Sequence, residues 1–142
     1  MADKIFDRLE RFKRHEFHYP DKLSELLLHL LDVMVVEETK FIPDLVFVVH
    51  SDYRQDDPKE HGKGRAIDGH FEVKGNPLPL LDQFVMATRY VWSGIGLYPY
   101  WNRPGIHVDV KPLSLDSRRR LWWQDKDGVY KGIEGYLRKQ HE

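Results

Sequence analysis

Arg65-Ala66-Ile67-Asp68-Gly69-His70-Phe71-Glu72-Val73 is the stretch on which the fold turns. Its side chains alternate along an extended chain. Ile67, Phe71 and Val73 fall on one face, and Ala66, Asp68, His70 and Glu72 on the other. A period of two with one apolar face marks a strand lying against a core. The pattern recurs from Gly105 to Val110, where Ile106, Val108 and Val110 point one way and His107 and Asp109 the other. Laid side by side, two such strands would place Asp68 and His107 on one polar surface, opposite whatever covers the apolar side.

Outward from these strands the chain reads as helices first and strands after. Ile5, Leu9 and Phe12 are spaced for one face of a short helix. After Pro20-Asp21 a longer helix is expected, with Asp21 as N-cap and Leu23, Leu26, Leu27, Leu30, Leu31 and Met34 as its core stripe. Leu45 to His50 is apolar and β-branched, the composition of a buried strand, and a polar loop follows from Ser51 to Gly64. Pro77 and Pro79 introduce a helix lined by Leu80, Leu81, Phe84, Val85 and Thr88. Gly94 to Tyr98 and Leu121-Trp122-Trp123 read as strands, and Tyr130 to Lys139 as a terminal helix. The expectation is a single α+β domain over residues 1–142, an antiparallel sheet with helices packed on one face.

Composition narrows the chemistry. Hydrophobic residues make up 41% and charged residues 32% of the 142, an ordinary globular mixture. A formal net charge of −1 supplies no general attraction to nucleic acid or an anionic membrane. Arg118-Arg119-Arg120 is the one basic run, read as a charged strand edge that discourages sheet aggregation. No apolar run is long enough to span a bilayer, and Met1 to Arg8 lacks the apolar core of a secretory signal. The chain has no cysteine, so disulfides, thiolate nucleophiles and Cys-based zinc sites are excluded. Any metal must be held by His, Asp or Glu.

His61 opens the glycine-containing segment His61-Gly62-Lys63-Gly64 that leads to Asp68, and can fold back beside it. With His107 this gives two imidazoles and one carboxylate, a donor set that leaves a fourth tetrahedral position open, as in catalytic rather than structural zinc sites. By spacing alone, a pair of hydrogen-bonded surface residues is the favoured reading.

The wider pattern adds to this. His61-Gly62-Lys63-Gly64-Arg65-Ala66-Ile67-Asp68 resembles the His-x-x-Gly-x-Ala-x-Asp signature of zinc D-Ala-D-Ala carboxypeptidases and related peptidoglycan endopeptidases. Ser51-Asp52-Tyr53-Arg54 is similar to their Ser-x-Tyr-Arg element, Gly94-Ile95-Gly96-Leu97-Tyr98-Pro99 to Gly-x-Gly-x-Tyr-Pro, and Ile106-His107-Val108-Asp109 to Val-His-x-Asp. Leu121-Trp122-Trp123 resembles the late Arg-Trp strand, so the likeness runs in order over about residues 45 to 125. It implies the Hedgehog/DD-peptidase fold and zinc held by His61, Asp68 and His107. The implied reaction is hydrolysis of a bacterial cell-wall stem peptide or D-Ala-D-Ala peptide. Arg54 would meet the substrate carboxylate or polarise the scissile carbonyl; a loop salt bridge with Asp56 or Asp57 is its competing reading. Combined with the missing export signal, the resemblance points to cytosolic synthesis and a phage or prophage product released to the wall.

The match is incomplete. Many members carry an acid three residues before the second histidine ligand as general base, and here that residue is Pro104. Asp109, roughly 7 Å along the strand from His107, is expected to orient that histidine; His70 is a candidate acid–base group, with an exposed strand residue of no role as its competing reading, and the general base stays open. Lys59 replaces the small hydroxyl residue two positions before the first ligand. Tyr98, Tyr100, Trp101 and Asn102 are expected near the substrate groove, with Tyr98 assigned to core packing. A zinc-stabilised binding or structural module without catalysis is the alternative, with Pro104 as its support.

Overall fold

In the computed structural model, which describes residues 2–113 and 118–140, the alternating stretch forms strand β2 (Ala66–Val73). The second alternating stretch forms β5 (Gly105–Asp109), which pairs antiparallel with β2. The register sets Asp68 opposite His107 and Ala66 opposite Asp109, so the polar residues of the two strands stand side by side. Ile67, Phe71, Ile106 and Val108 point to the other side and are fully buried.

Around this pair lie β1 (Leu45–Ser51), the two-residue β3 (Asn76–Pro77), β4 (Gly94–Tyr98), β6 (Arg120–Gln124) and β7 (Tyr130–Gly132). The sheet order is β1-β2-β5-β4-β6-β7, with β3 added to β2. The helices are α1 (Ala2–Arg8), α2 (Glu25–Thr39), α3 (Leu80–Thr88) and α4 (Ile133–Lys139). Buried residues of all four share one core with the apolar face of the sheet. The architecture is α+β with a mostly antiparallel open sheet. The exception is β6, which runs parallel to β4.

Several local expectations are corrected. Helix α2 starts behind Ser24, whose Oγ accepts from the Leu27 amide, while Asp21 lies in a 3-10 turn and pairs with Arg14. Ser24 sits where its side chain can satisfy a free first-turn amide, which Asp21 does not reach. The buried stripe of α2 is Leu27, Leu28, Leu31, Met34 and Val35, whereas Leu26 is 62% exposed. On α3, Gln83 and Ala87 rather than Val85 share the inner face with Leu80 and Phe84. Buried Gln83 accepts from the Phe71 amide and donates to the Leu78 carbonyl, closing backbone bonds at the end of β2. β1 is an edge strand, so Val46 is 47% exposed while Leu45 and Phe47 are buried.

Tyr130–Gly132 is a strand, and only Ile133–Lys139 is helical. Asp125 accepts from the amides of Asp127 and Val129, and Gly128 takes φ +80°, so the chain reverses and pairs with β6 before α4 begins. Only Arg120 of the basic run lies in β6, and the pairing of β6 with β7 covers Trp122 to Gln124. Arg119 donates to the carbonyls of Tyr90 and Thr88, and Arg120 to Asp109. No helix among the described residues is long and apolar enough to cross a membrane.

Candidate metal centre

His61 reaches the polar face from a 3-10 turn, Glu60–Lys63. The glycines around it are required by packing. A Cβ on Gly62 would lie 1.7 Å from the Asp57 carbonyl oxygen, and Gly64 closes the turn with φ +69°. The Arg54 amide donates to the His61 carbonyl, tying this turn to the segment that follows β1.

The three predicted ligands meet. His61 Nε2 is 3.1 Å from Asp68 Oδ1, His107 Nδ1 is 3.0 Å from the same oxygen, and the two nitrogens are 3.2 Å apart. All three residues are buried. Each is also held from behind. His61 Nδ1 is 2.6 Å from the Asp52 carbonyl oxygen, to which it donates, leaving Nε2 with a lone pair. His107 Nε2 donates to Asp109 Oδ2 at 2.8 Å, leaving Nδ1 with a lone pair. Arg54 Nη2 donates to Asp68 Oδ2 at 2.6 Å, which turns Oδ1 toward the histidines. Two imidazole lone pairs and a carboxylate oxygen therefore face one another at close range, an arrangement that needs a positive charge between them.

The spacing fits a metal ion. Four ligands at about 2.0–2.1 Å from a tetrahedral zinc stand roughly 3.3–3.4 Å from one another, close to the three separations found here. The orienting bonds behind each histidine are also those that metal-ligating imidazoles require. This buried His-Asp-His cluster can hold a metal ion.

Burial pushes His107 down, but its hydrogen bonds to Asp109 and Asp68 outweigh this and raise its pKa. Asp68 is held far below the usual carboxylate range: burial alone would raise it, and hydrogen bonds and charge from His107 and His61 overcome that. Asp109 is likewise lowered, against its burial, by His107 and Arg120.

The cluster opens into a cavity of about 890 Å³, with Arg54, Lys59, Trp101, Arg120, Trp122 and Tyr130 among its lining residues. Tyr98 stacks on Trp101 with ring centroids 4.1 Å apart, and its oxygen accepts from the Trp122 indole at 3.2 Å. Tyr98 is thus both packed and part of the wall, while exposed Tyr100 and Asn102 do not line the cavity.

The remaining predicted residues are placed as follows. Arg54 lines the cavity, and its guanidinium is engaged by Asp68, Ser51 and, at 3.7 Å, Asp57. Asp109 stands behind His107 with both carboxylate oxygens occupied. His70 is buried between His50, at 2.6 Å, and Glu72, at 2.9 Å, and it does not line the cavity. Pro104 is exposed at the end of the loop before β5.

Three residues, quoted above only within longer stretches, also shape the site. Asp52 is a buried carboxylate that accepts from the amides of His18, Tyr19 and Tyr53, and so fixes the segment whose carbonyl holds His61. Arg120 and Trp122 reach over β4 because Gly94 and Gly96 carry no side chains: a Cβ on Gly96 would lie 2.4 Å from the Trp122 ring. The Gly-x-Gly spacing on a strand was the available signal, since period two puts both glycines on the face that carries His107. No family model, curated protein or solved structure matches the chain.

Proposed function

We propose that this chain is a zinc-dependent peptidase of the Hedgehog/DD-peptidase fold, hydrolysing a peptide bond in bacterial cell-wall stem peptides. The observation that carries the reading is the convergence of His61 Nε2, Asp68 Oδ1 and His107 Nδ1 at 3.0–3.2 Å, with their other polar atoms turned away and bonded. The resemblance of four ordered motifs to the zinc D-Ala-D-Ala carboxypeptidases supplies the substrate class.

When bound, zinc supplies Lewis acidity that activates water near neutral pH and polarises a carbonyl. The protein's own part is positioning. Asp52, Asp109 and Arg54 fix the three donors, and the stacked Tyr98–Trp101 pair forms a wall against which a peptide can lie. Arg54, 46% exposed at its side chain, offers its outer edge to a substrate carboxylate while holding Asp68. The test is cleavage of D-Ala-D-Ala peptides and muropeptides by zinc-loaded protein. His61→Ala and Asp68→Ala should abolish it, and absence of cleavage by the loaded parent across a broad pH range would end the proposal.

A second reading, a metal-stabilised binding module without catalysis, has a specific observation in its favour. Pro104 stands where an acid is usual, and Asp109 cannot act as a free base while His107 and Arg120 occupy its oxygens. Under that reading stem peptides raise the melting temperature while their bonds stay intact.

A further inference from the structure

We propose that Arg120 is a positioning residue for the metal centre, acting through Asp109 on His107 across a gap that Gly94 keeps open. The inference rests on the metal-binding reading of the triad and goes beyond it by naming what holds the triad in shape.

Arg120 and Asp109 are not neighbours in the sheet, since β4 lies between β5 and β6. Gly94 is the register partner of both, Asp109 on one side and Arg120 on the other. With only hydrogen at that position, the guanidinium and the carboxylate meet directly over the strand. A Cβ on residue 94 would lie 2.5 Å from Asp109 Oδ2 and 2.6 Å from Arg120 Nη2. Oδ2 is the atom that accepts from His107 Nε2, so bulk at position 94 would press on the bond that orients the ligand.

Asp109 is 0% exposed. A carboxylate so buried needs a cation and hydrogen bonds to stay ionised. Arg120 supplies the fixed charge on Oδ1, helped by the Lys111 amide at 3.2 Å, while Oδ2 remains free for His107. The guanidinium also lies over the Trp122 ring, 5.5 Å from its centroid, and that ring is 5.1 Å from the His107 ring. Arg120 thus braces His107 along two routes, one ionic and one aromatic. A planar fork suits both contacts, and a lysine ammonium reproduces only the charge.

The experiment measures zinc affinity of the full chain by competition with a chelator, together with the visible spectrum of the cobalt-loaded protein. Partners of metal-binding histidines carry about 10–100-fold in affinity. Arg120→Met should therefore weaken zinc about tenfold or more and move the cobalt bands. Arg120→Lys should recover part of the loss, and Gly94→Ala should weaken zinc with Arg120 intact. Arg119→Met, which removes bonds to the backbone carbonyls of Tyr90 and Thr88, should lower the melting temperature and leave zinc affinity alone. Should Arg120→Met fail to fold, Arg120→Lys and Gly94→Ala decide the matter. Zinc affinity within twofold of the parent in the folded variants would overturn the proposal and leave the metal-binding reading standing. A parent chain that binds no metal would overturn that reading as well.

Discussion

Replacing Asp52 with alanine removes a carboxylate that is 1% exposed and that collects three backbone amides. Oδ2 accepts from His18 at 2.7 Å, and Oδ1 from Tyr19 at 3.2 Å and Tyr53 at 2.7 Å. A buried donor left without an acceptor costs about 1–3 kcal/mol. Water can reach some of the amides on the exposed Tyr19 side, which places the sum at about 3–5 kcal/mol. Set against a total stability of about 5–15 kcal/mol, that is a large fraction, and it corresponds to a melting temperature lowered by about 10–17 °C. Asp52→Asn keeps one oxygen for Tyr19 and Tyr53 but turns an amide group toward the His18 N–H. Its expected loss is about 1–2 kcal/mol. Urea unfolding followed by circular dichroism measures both, with an unchanged m-value showing that stability alone has moved. Because the backbone carbonyl of the same residue fixes His61, Asp52→Ala should also weaken metal binding about tenfold. A stability within 1 kcal/mol of the parent chain would refute the claim that this carboxylate organises the site from behind.

Zinc at 100 times its dissociation constant should stabilise the fold by about 2.7 kcal/mol, raising the melting temperature several degrees. A chelator should reverse the shift, and Asp68→Asn should not show it. Gly96→Ala drives a methyl to 2.4 Å from the Trp122 ring, so it should cost about 1–3 kcal/mol in melting experiments. It should also lower metal affinity, since that ring packs on His107. The His50 pKa is lowered to about 4, first by burial and then by His70 and Arg103. The unfolded chain takes up this proton near pH 6.5 and the folded chain does not, so the contribution is complete above that pH and lost as pH falls toward 4. NMR titration should find the His50 ring neutral at pH 5, and a midpoint near 6.5 would contradict the packing described for it.

The strands that carry the site were legible because alternation is a strong local signal and both faces of β2 and β5 obey it. Ile67 and Val108 go to the core while Asp68 and His107 go to the site. What the sequence concealed depends on partners distant in the chain. Nothing local marks Ser24 over Asp21 as the cap of α2, or says that Val46 lies on an edge strand. The helix expected over Tyr130–Lys139 begins only at Ile133, and the Asp125-Lys126-Asp127-Gly128 turn is the local signal for the hairpin that precedes it. In the site, the ligands stood out by residue type and order. Their supports did not, because a buried aspartate such as Asp52 and an arginine such as Arg120 declare their roles only when the backbone amides and the carboxylate they hold are seen. His70 shows the reverse case: the strand face was assigned correctly, yet His50 and Glu72 take up both ring nitrogens.

The most direct test is X-ray absorption at the metal edge of the zinc-loaded chain. One zinc per chain is expected, ligated by two imidazoles and one carboxylate with a fourth position open to exchange, with that signal lost in His107→Ala. No stoichiometric zinc, or zinc held by a different ligand set that persists in His107→Ala, would contradict the metal-binding reading.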